Sequence, residues 1–201
     1  MLQKRKVVVT GLGVLAPNGN TTSEYWEALT AGKSGIGPIE SFDASDLSVR
    51  IAGELKDFDP QSFFDRKELR KLDPFTIYHL VSSEEAIKNS GIDLDKTDGD
   101  RIGVIIGTGI GGIQTLENEH GVFSERGQRR VSPFFVPRFI PNIASGNLAI
   151  KFGLRGPNHT VISACASGTD AIGCAMRTIQ YGDADVMIAG GTEASITGLT
   201  I

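Results

Sequence analysis

The sequence predicts an α/β fold with a largely parallel, mixed sheet, and three observations carry that reading. Short β-branched and apolar runs alternate with segments of helical period along the whole chain. Glycine supplies 25 of the 201 residues, nearly twice the usual ~7%, and it recurs at the joints between those runs, where tight turns and close backbone packing need it. The remaining composition, 40% hydrophobic and 22% charged, is that of a globular chain and excludes a disordered or collagen-like one.

In chain order, Lys6 to Leu15 is expected as a first buried strand ending in the turn Pro17-Asn18-Gly19. Lys4, Arg5 and Lys6 before that apolar run mimic a signal peptide. Two glycines dilute the run, however, and no small-x-small cleavage site follows it. Thr21 or Thr22 caps a helix in which Tyr25, Trp26 and Leu29 recur at helical spacing before Gly32. Residues 33–65 read as loop, with at most a short strand at Val49-Arg50-Ile51-Ala52. Pro74 to Asn89 is a helix with Ile77, Leu80, Val81 and Ile87 on one side and Gly91 as its stop.

An acidic loop then leads into a strand at Arg101 to Ile106 and the turn Gly107-Thr108-Gly109-Ile110-Gly111-Gly112. A helix to about Phe123 follows, and then a loop holding Arg126, Arg129 and Arg130. Residues 138–152 are expected as helix, 160–164 as a short strand, 168–181 as a helix closed by Gly182, and Val186 to Ala189 as a last buried strand. Alternation of this kind gives a parallel sheet covered by helices, in one domain without a linker.

Several function classes fall away at once. The net charge of −4 argues against a strongly basic nucleic-acid binder. No stretch approaches the ~18 uninterrupted apolar residues of a membrane span, so a soluble, cytoplasmic protein is expected. Two cysteines, Cys165 and Cys174, make neither a disulfide framework nor a zinc site.

Two stretches match a dinucleotide-binding fingerprint: Gly11-Leu12-Gly13-Val14-Leu15-Ala16, and Gly107, Gly109 and Gly112. The first has Pro17 and Gly19 where its helix should begin. The second has arginines and Ser132-Pro133 where a strand and its terminal acid should lie. Structural turns are the favoured reading, with nucleotide binding kept as the alternative of another class.

The more telling segment runs from His159 to Gly173. A short β-branched strand leads into Ser163-Ala164-Cys165-Ala166-Ser167-Gly168, and a helix follows. This order puts Cys165 on a sharp strand-to-helix turn, the arrangement of a nucleophile elbow. Small neighbours admit a substrate. A helix N-terminus favours a thiolate and offers backbone N–H groups to an oxyanion. Cys174, in the body of the helix, reads as core. None of His79, His120 and His159 is an evident base for Cys165.

Two basic islands stand out on the acidic chain. Asp65 to Asp73 contains Arg66, Lys67, Arg70 and Lys71, and Ser124 to Arg130 contains Arg126, Arg129 and Arg130. Together they suit an acidic partner.

These segments resemble the β-ketoacyl-[acyl-carrier-protein] synthases of bacterial fatty-acid synthesis. The likeness runs through Val7 to Gly13, Arg66 to Asp73, Gly107 to Gly112, Ser132-Pro133-Phe134-Phe135-Val136-Pro137, Ser163 to Gly168 and Tyr181 to Gly191. It covers nearly the whole chain, so that residues 1–201 correspond to the N-terminal, nucleophile-bearing half of the thiolase-like fold. The complete enzyme is implied to be layered α/β/α/β/α and homodimeric. The resemblance implies Cys165 as the acyl-accepting nucleophile, its own N–H serving the oxyanion. It implies Ile110 and Phe135 at the acyl pocket, Phe135 reaching that of the dimer mate. It also implies Lys67, Arg70, Lys71, Arg129 and Arg130 as the docking face for acyl carrier protein.

The implied reaction is acyl transfer to the cysteine, then decarboxylative Claisen condensation with malonyl-carrier protein. It needs no metal or redox cofactor, and phosphopantetheine arrives on the carrier. The family's two catalytic histidines belong to a second half, and none of the three histidines here matches them, so residues 1–201 alone are expected to be inactive in condensation. A polyketide synthase condensing domain would share this chemistry, and a non-catalytic interaction fragment is the main rival reading for these 201 residues. A thiolase would share the fold and nucleophile, but the basic islands and the Ser132–Pro137 motif favour a carrier-protein enzyme.

Overall fold

The computed structural model describes residues 5–201. Helix α1 (Thr22–Thr30) starts at Thr21, whose hydroxyl accepts the Glu24 N–H. Strands β1 (Gly37–Pro38) and β2 (Ile51–Ala52) form a small antiparallel ladder. Helix α2 (Arg66–Leu69) follows a capping box in which Asp65 accepts from the Lys67 and Glu68 amides and Glu68 accepts from Asp65. Helix α3 (Pro74–Ser90) has Asp73 as its cap and Pro74 in its first turn, and ends at Gly91 in the left-handed region. Beyond it come β3 (Ile102–Gly107), α4 (Ile113–Arg126), α5 (Phe135–Phe139), α6 (Ile143–Phe152), β4 (Asn158–Val161), α7 (Ser167–Tyr181) and β5 (Val186–Gly191). Among the described residues no helix is long and apolar enough to cross a membrane.

The main sheet has the order β4-β3-β5, and both pairings are parallel. Among the described residues the antiparallel pair lies in a separate sheet, and the three-stranded sheet is wholly parallel. Every residue of β3 is buried, as its unbroken apolar sequence requires of a strand covered on both faces. Its side chains alternate between two cores. Ile102, Val104 and Ile106 pack with Leu80 and Val81 of α3 and Leu148 of α6, whereas Ile105 packs with Ala171 and Ala175 of α7. The result is three layers, helix on sheet on helix. Each buried isoleucine contributes about 1.5–3 kcal/mol. At the start of β3, Arg101 and Arg5 both bond Asp185, and these hydrogen bonds hold its carboxyl at about 2.

Three expectations change. Lys6 to Leu15 is not a strand, and two of its amides are taken by side chains of α3. The Leu12 N–H donates to Asn89 Oδ1 (3.0 Å) and the Val14 N–H to Glu85 Oε2 (2.8 Å). A side chain on Gly13 would put its Cβ 1.8 Å from the Ser82 carbonyl, so the glycines permit close approach to a helix. Val8 and Val9 are consequently exposed.

The helix expected over 138–152 is two helices. Ile140, before Pro141, is extended at ψ 136°, as the pyrrolidine ring demands of its predecessor. The strand expected at 160–164 lies at Asn158–Val161, because the chain leaves the sheet at Ile162 to make the turn at Cys165.

Candidate active site

Between β4 and α7 the chain reverses through Ile162-Ser163-Ala164-Cys165-Ala166. Ala164 is held at φ 52°, a left-handed conformation that strains any residue bearing a Cβ. The tie that holds it is local. The Ser167 hydroxyl accepts the Ser163 N–H (2.8 Å), donates to the Ala164 carbonyl (2.7 Å), and has the Thr108 carbonyl at 3.2 Å. Ser163 Oγ donates to Asp170 of α7. Cys165 is exposed at the crest, and Ala166 caps α7 without any side-chain hydrogen bond to its first amides. The Ala166 and Ser167 amides donate to the Ser163 (3.2 Å) and Ala164 (3.1 Å) carbonyls, and the positive end of the helix dipole lies at this turn. Cys174 lies half-buried in α7 against the Ile105 core, a packing position.

The site stands at the C-terminal edge of the parallel sheet, where loops of such folds carry chemistry. Gly107 ends β3 there. A Cβ on it would lie 2.1 Å from the backbone of Ser167, so only glycine lets the N-terminus of α7 sit against the strand. The following turn is filled from β5: Glu193 accepts the Gly109 N–H (2.7 Å), the Ile110 N–H (3.2 Å) and the Thr108 hydroxyl (3.3 Å). This removes the nucleotide alternative. A carboxylate already occupies the amide nest where a phosphate would bind, and the other glycine pair packs on α3.

Glu193 was not singled out in the sequence. The usable signal was an acid two residues beyond Gly191 at the end of a parallel strand. Ile110 is exposed at the tip of the glycine turn. Phe135 opens α5 and stacks on Phe139 with centroids 5.8 Å apart. The other end of α5 meets the same turn, the Gly112 N–H donating to the Phe139 carbonyl (3.0 Å). A cavity of about 660 Å³ lies elsewhere, lined among others by Glu54, Phe58, Ile77, Tyr78 and Glu193. Neither Cys165, Ile110 nor Phe135 lines it.

His79 is buried in α3 with Nδ1 3.1 Å from Ser83 Oγ, and burial pushes its pKa down to about 4. His120 on α4 and His159 on β4 are exposed. A single cation–ring contact links the segments that carry the two basic islands. Lys67 lies on α2, Arg70 caps it and Lys71 follows, all exposed, and the Lys71 Nζ sits 5.9 Å from the centre of the Phe134 ring. Arg129 and Arg130, also exposed, form a 3-10 turn just before that segment. Beneath them Asp73 is fully buried, accepting from the Phe75 amide (3.2 Å) and from the Thr115 amide (3.0 Å) and hydroxyl (2.6 Å). Burial raises its carboxyl above the ordinary range.

The parallel α/β layers lead into a strained strand-to-helix turn that carries an exposed cysteine, the arrangement of a nucleophile elbow. Residues 4–201 match the family model described as the N-terminal domain of β-ketoacyl synthase, and the chain belongs to that family. It is 48% identical over 199 residues to a 3-oxoacyl-[acyl-carrier-protein] synthase 2 of Synechocystis sp., covering 99% of this chain and 48% of that protein. It is 47% identical over 201 residues to the synthase 2 of Staphylococcus aureus, covering all of this chain and 49% of the relative. The chain thus spans about half the length of the curated relatives it matches.

Among solved structures, it is similar to a type II polyketide synthase ketosynthase bound to the hexaketide, in complex with its acyl-carrier protein. That match has a TM-score of 0.86 and 29% identity, and covers 98% of this chain and 54% of the other. A β-ketoacyl synthase from Burkholderia phymatum matches with a TM-score of 0.82 and 29% identity, over 98% of this chain and 48% of its own.

Proposed function

We propose that this chain is the nucleophile-bearing half of a 3-oxoacyl-[acyl-carrier-protein] synthase of fatty-acid chain elongation. The observation that carries the reading is the exposed Cys165 thiol on the strained turn at the uncapped N-terminus of α7. In the proposed first step the Cys165 thiolate attacks the carbonyl carbon of an acyl thioester. The Cys165 N–H and the terminal amides of α7 face the developing oxyanion. The bond from that carbon to the donor sulfur breaks, the acyl group remains on Cys165 Sγ, and the departing thiolate takes a proton.

In the second step malonyl-carrier protein loses CO₂. The resulting enolate carbon attacks the acyl-enzyme, which frees Cys165 and yields a 3-oxoacyl thioester two carbons longer. The thioester itself delocalises the enolate charge, so the reading includes no cofactor beyond the carrier's phosphopantetheine. An acyl carrier protein would meet the face of Lys67, Arg70, Lys71, Arg129 and Arg130, and Ile110 and Phe135 would border the acyl chain. A homodimer in the cytoplasm belongs to the same reading.

Mass spectrometry of the chain treated with an acyl-pantetheine thioester tests the first step. The expected result is one acyl group on the Cys165 peptide, absent from a Cys165→Ala variant. Acylation of Cys174 at an equal rate, or none at Cys165, overturns the assignment.

A further inference from the structure

We infer that Glu193 is a positioning residue: its carboxylate fixes the glycine turn, with Ile110 at the tip, beside Cys165 and so sets which acyl chains reach the thiol. This rests on the proposed role of Cys165 as acyl acceptor. β5 lies beside β3 with Gly191 opposite Gly107, so an acid two residues past the end of β5 reaches across to the turn leaving β3. Its Oε2 receives two successive backbone amides, from Gly109 and Ile110, while Oε1 receives the Thr108 hydroxyl. The Thr108 Oγ1 in turn accepts the Gly111 N–H at 3.2 Å. Four consecutive residues, 108 to 111, are thus bound to one side chain directly or through one hydroxyl.

Other bonds anchor the two ends of the turn, where the Thr108 N–H donates to the Val161 carbonyl (3.2 Å) and the Gly112 N–H to the Phe139 carbonyl (3.0 Å), and leave its middle to Glu193. Ile110 is flanked by Gly109 and Gly111, and glycine loses the most conformational freedom on ordering. Hydrogen bonds to an ionised acceptor are about twice as strong as neutral ones, so the carboxylate is suited to offset that loss. The turn also reaches the nucleophile's neighbours. The Thr108 carbonyl lies 3.2 Å from the Ser167 hydroxyl that fixes Ser163 and Ala164, and a Cβ on Gly109 would lie 3.8 Å from the Ala164 carbonyl. Ile110 is the one side chain between Gly109 and Gly112, and it is exposed. Its direction is therefore set by the backbone that Glu193 holds.

The test compares the 201-residue chain with Glu193→Ala and Glu193→Gln. It reads amide hydrogen exchange across 107–112, acylation of Cys165 by hexanoyl- and myristoyl-pantetheine, and alkylation of both cysteines by iodoacetamide. Glu193→Ala is expected to speed exchange of the Gly109 and Ile110 amides about tenfold. It should change the long-to-short acylation ratio roughly fivefold and leave Cys165 alkylation unchanged. Glu193→Gln, which keeps one accepting oxygen, should fall between.

Unchanged exchange overturns the proposal. So does an equal loss of both acylation rates accompanied by faster alkylation of Cys174, the mark of a loosened fold. If the unaltered chain takes no acyl group from either thioester, the acyl-acceptor reading fails and the selectivity claim falls with it. The exchange measurement then still decides whether Glu193 holds the turn.

Discussion

His79 shows how burial of one ring makes the fold sensitive to pH. Its pKa is pushed from the ordinary 6.5 down to about 4 by burial, and its Nε2 has no partner among the described residues. Between those values the unfolded chain binds a proton that the native chain refuses. The corresponding stability is fully present above pH 6.5 and is lost as pH falls toward 4, by roughly 3 kcal/mol. Asp73 works in the opposite sense: burial raises its carboxyl, so its contribution declines as pH rises above the ordinary carboxylate value of 3.8. Urea unfolding between pH 7.5 and 5 should show falling stability, and His79→Leu should flatten the fall. An unaltered slope in the variant would mean that another group titrates.

At this scale the sequence made Cys165 legible, because a β-branched strand, small residues and a helix occur in order around it. Glu193 was hidden because its partners are two backbone amides and a threonine hydroxyl 83 to 85 positions earlier, and amides leave no trace in residue identity.

Among the elements, β3 was legible as an unbroken apolar run buried throughout, α3 through Ile77, Leu80 and Val81, and α7 through Ala171 and Ala175, although Ile172 and Met176 of the same helix are exposed. The stretch Lys6 to Leu15 misled, since a β-branched run says nothing about whether a neighbouring strand or the side chains of a helix will take its amides. Helix α2 escaped notice because its four residues have no apolar period, although Asp65-Arg66-Lys67-Glu68 spells the acid-to-acid spacing of a capping box. That box fixes Lys67 and the turn bearing Arg70 and Lys71, and Lys71 lies over the ring of Phe134, a few residues past the second island.

If this face receives an acidic carrier, Lys67→Glu/Arg70→Glu should weaken binding by an amount set by two exposed pairs, each about 0.2–1 kcal/mol. The loss should shrink as salt rises. Calorimetric titration at low and high salt, with Lys33→Glu/Lys88→Glu as a charge-matched control, measures it. Equal weakening by the control would show a general field effect and no defined face.

For the molecule as a whole, the proposed chemistry divides into one step the chain is equipped to perform and one it is not. In the proposed reading acyl transfer needs a nucleophile and oxyanion donors, and the turn at Cys165 would supply both from one strand end and one helix start. Condensation builds negative charge on a malonyl thioester oxygen, and such charge is met by preorganised donors, each typically worth ~10²–10³ in rate. Of the three histidines, His79 is buried and neutral in α3, and His120 and His159 are exposed on α4 and the edge strand β4. Among the described residues none is hydrogen-bonded to Cys165. Ile162, Ile172 and Met176 also stand exposed along the chain from β4 into α7, an apolar surface suited to a further polypeptide.

The 201-residue chain should therefore accumulate acyl-Cys165 and form negligible 3-oxoacyl-carrier protein. The missing step should appear when the C-terminal half of a 48%-identical synthase 2 is added. Mass spectrometry of carrier-bound products after mixing acyl- and malonyl-carrier proteins separates the two steps. Turnover by the chain alone near that of a complete synthase would place the second set of donors within residues 1–201 and overturn this division of labour.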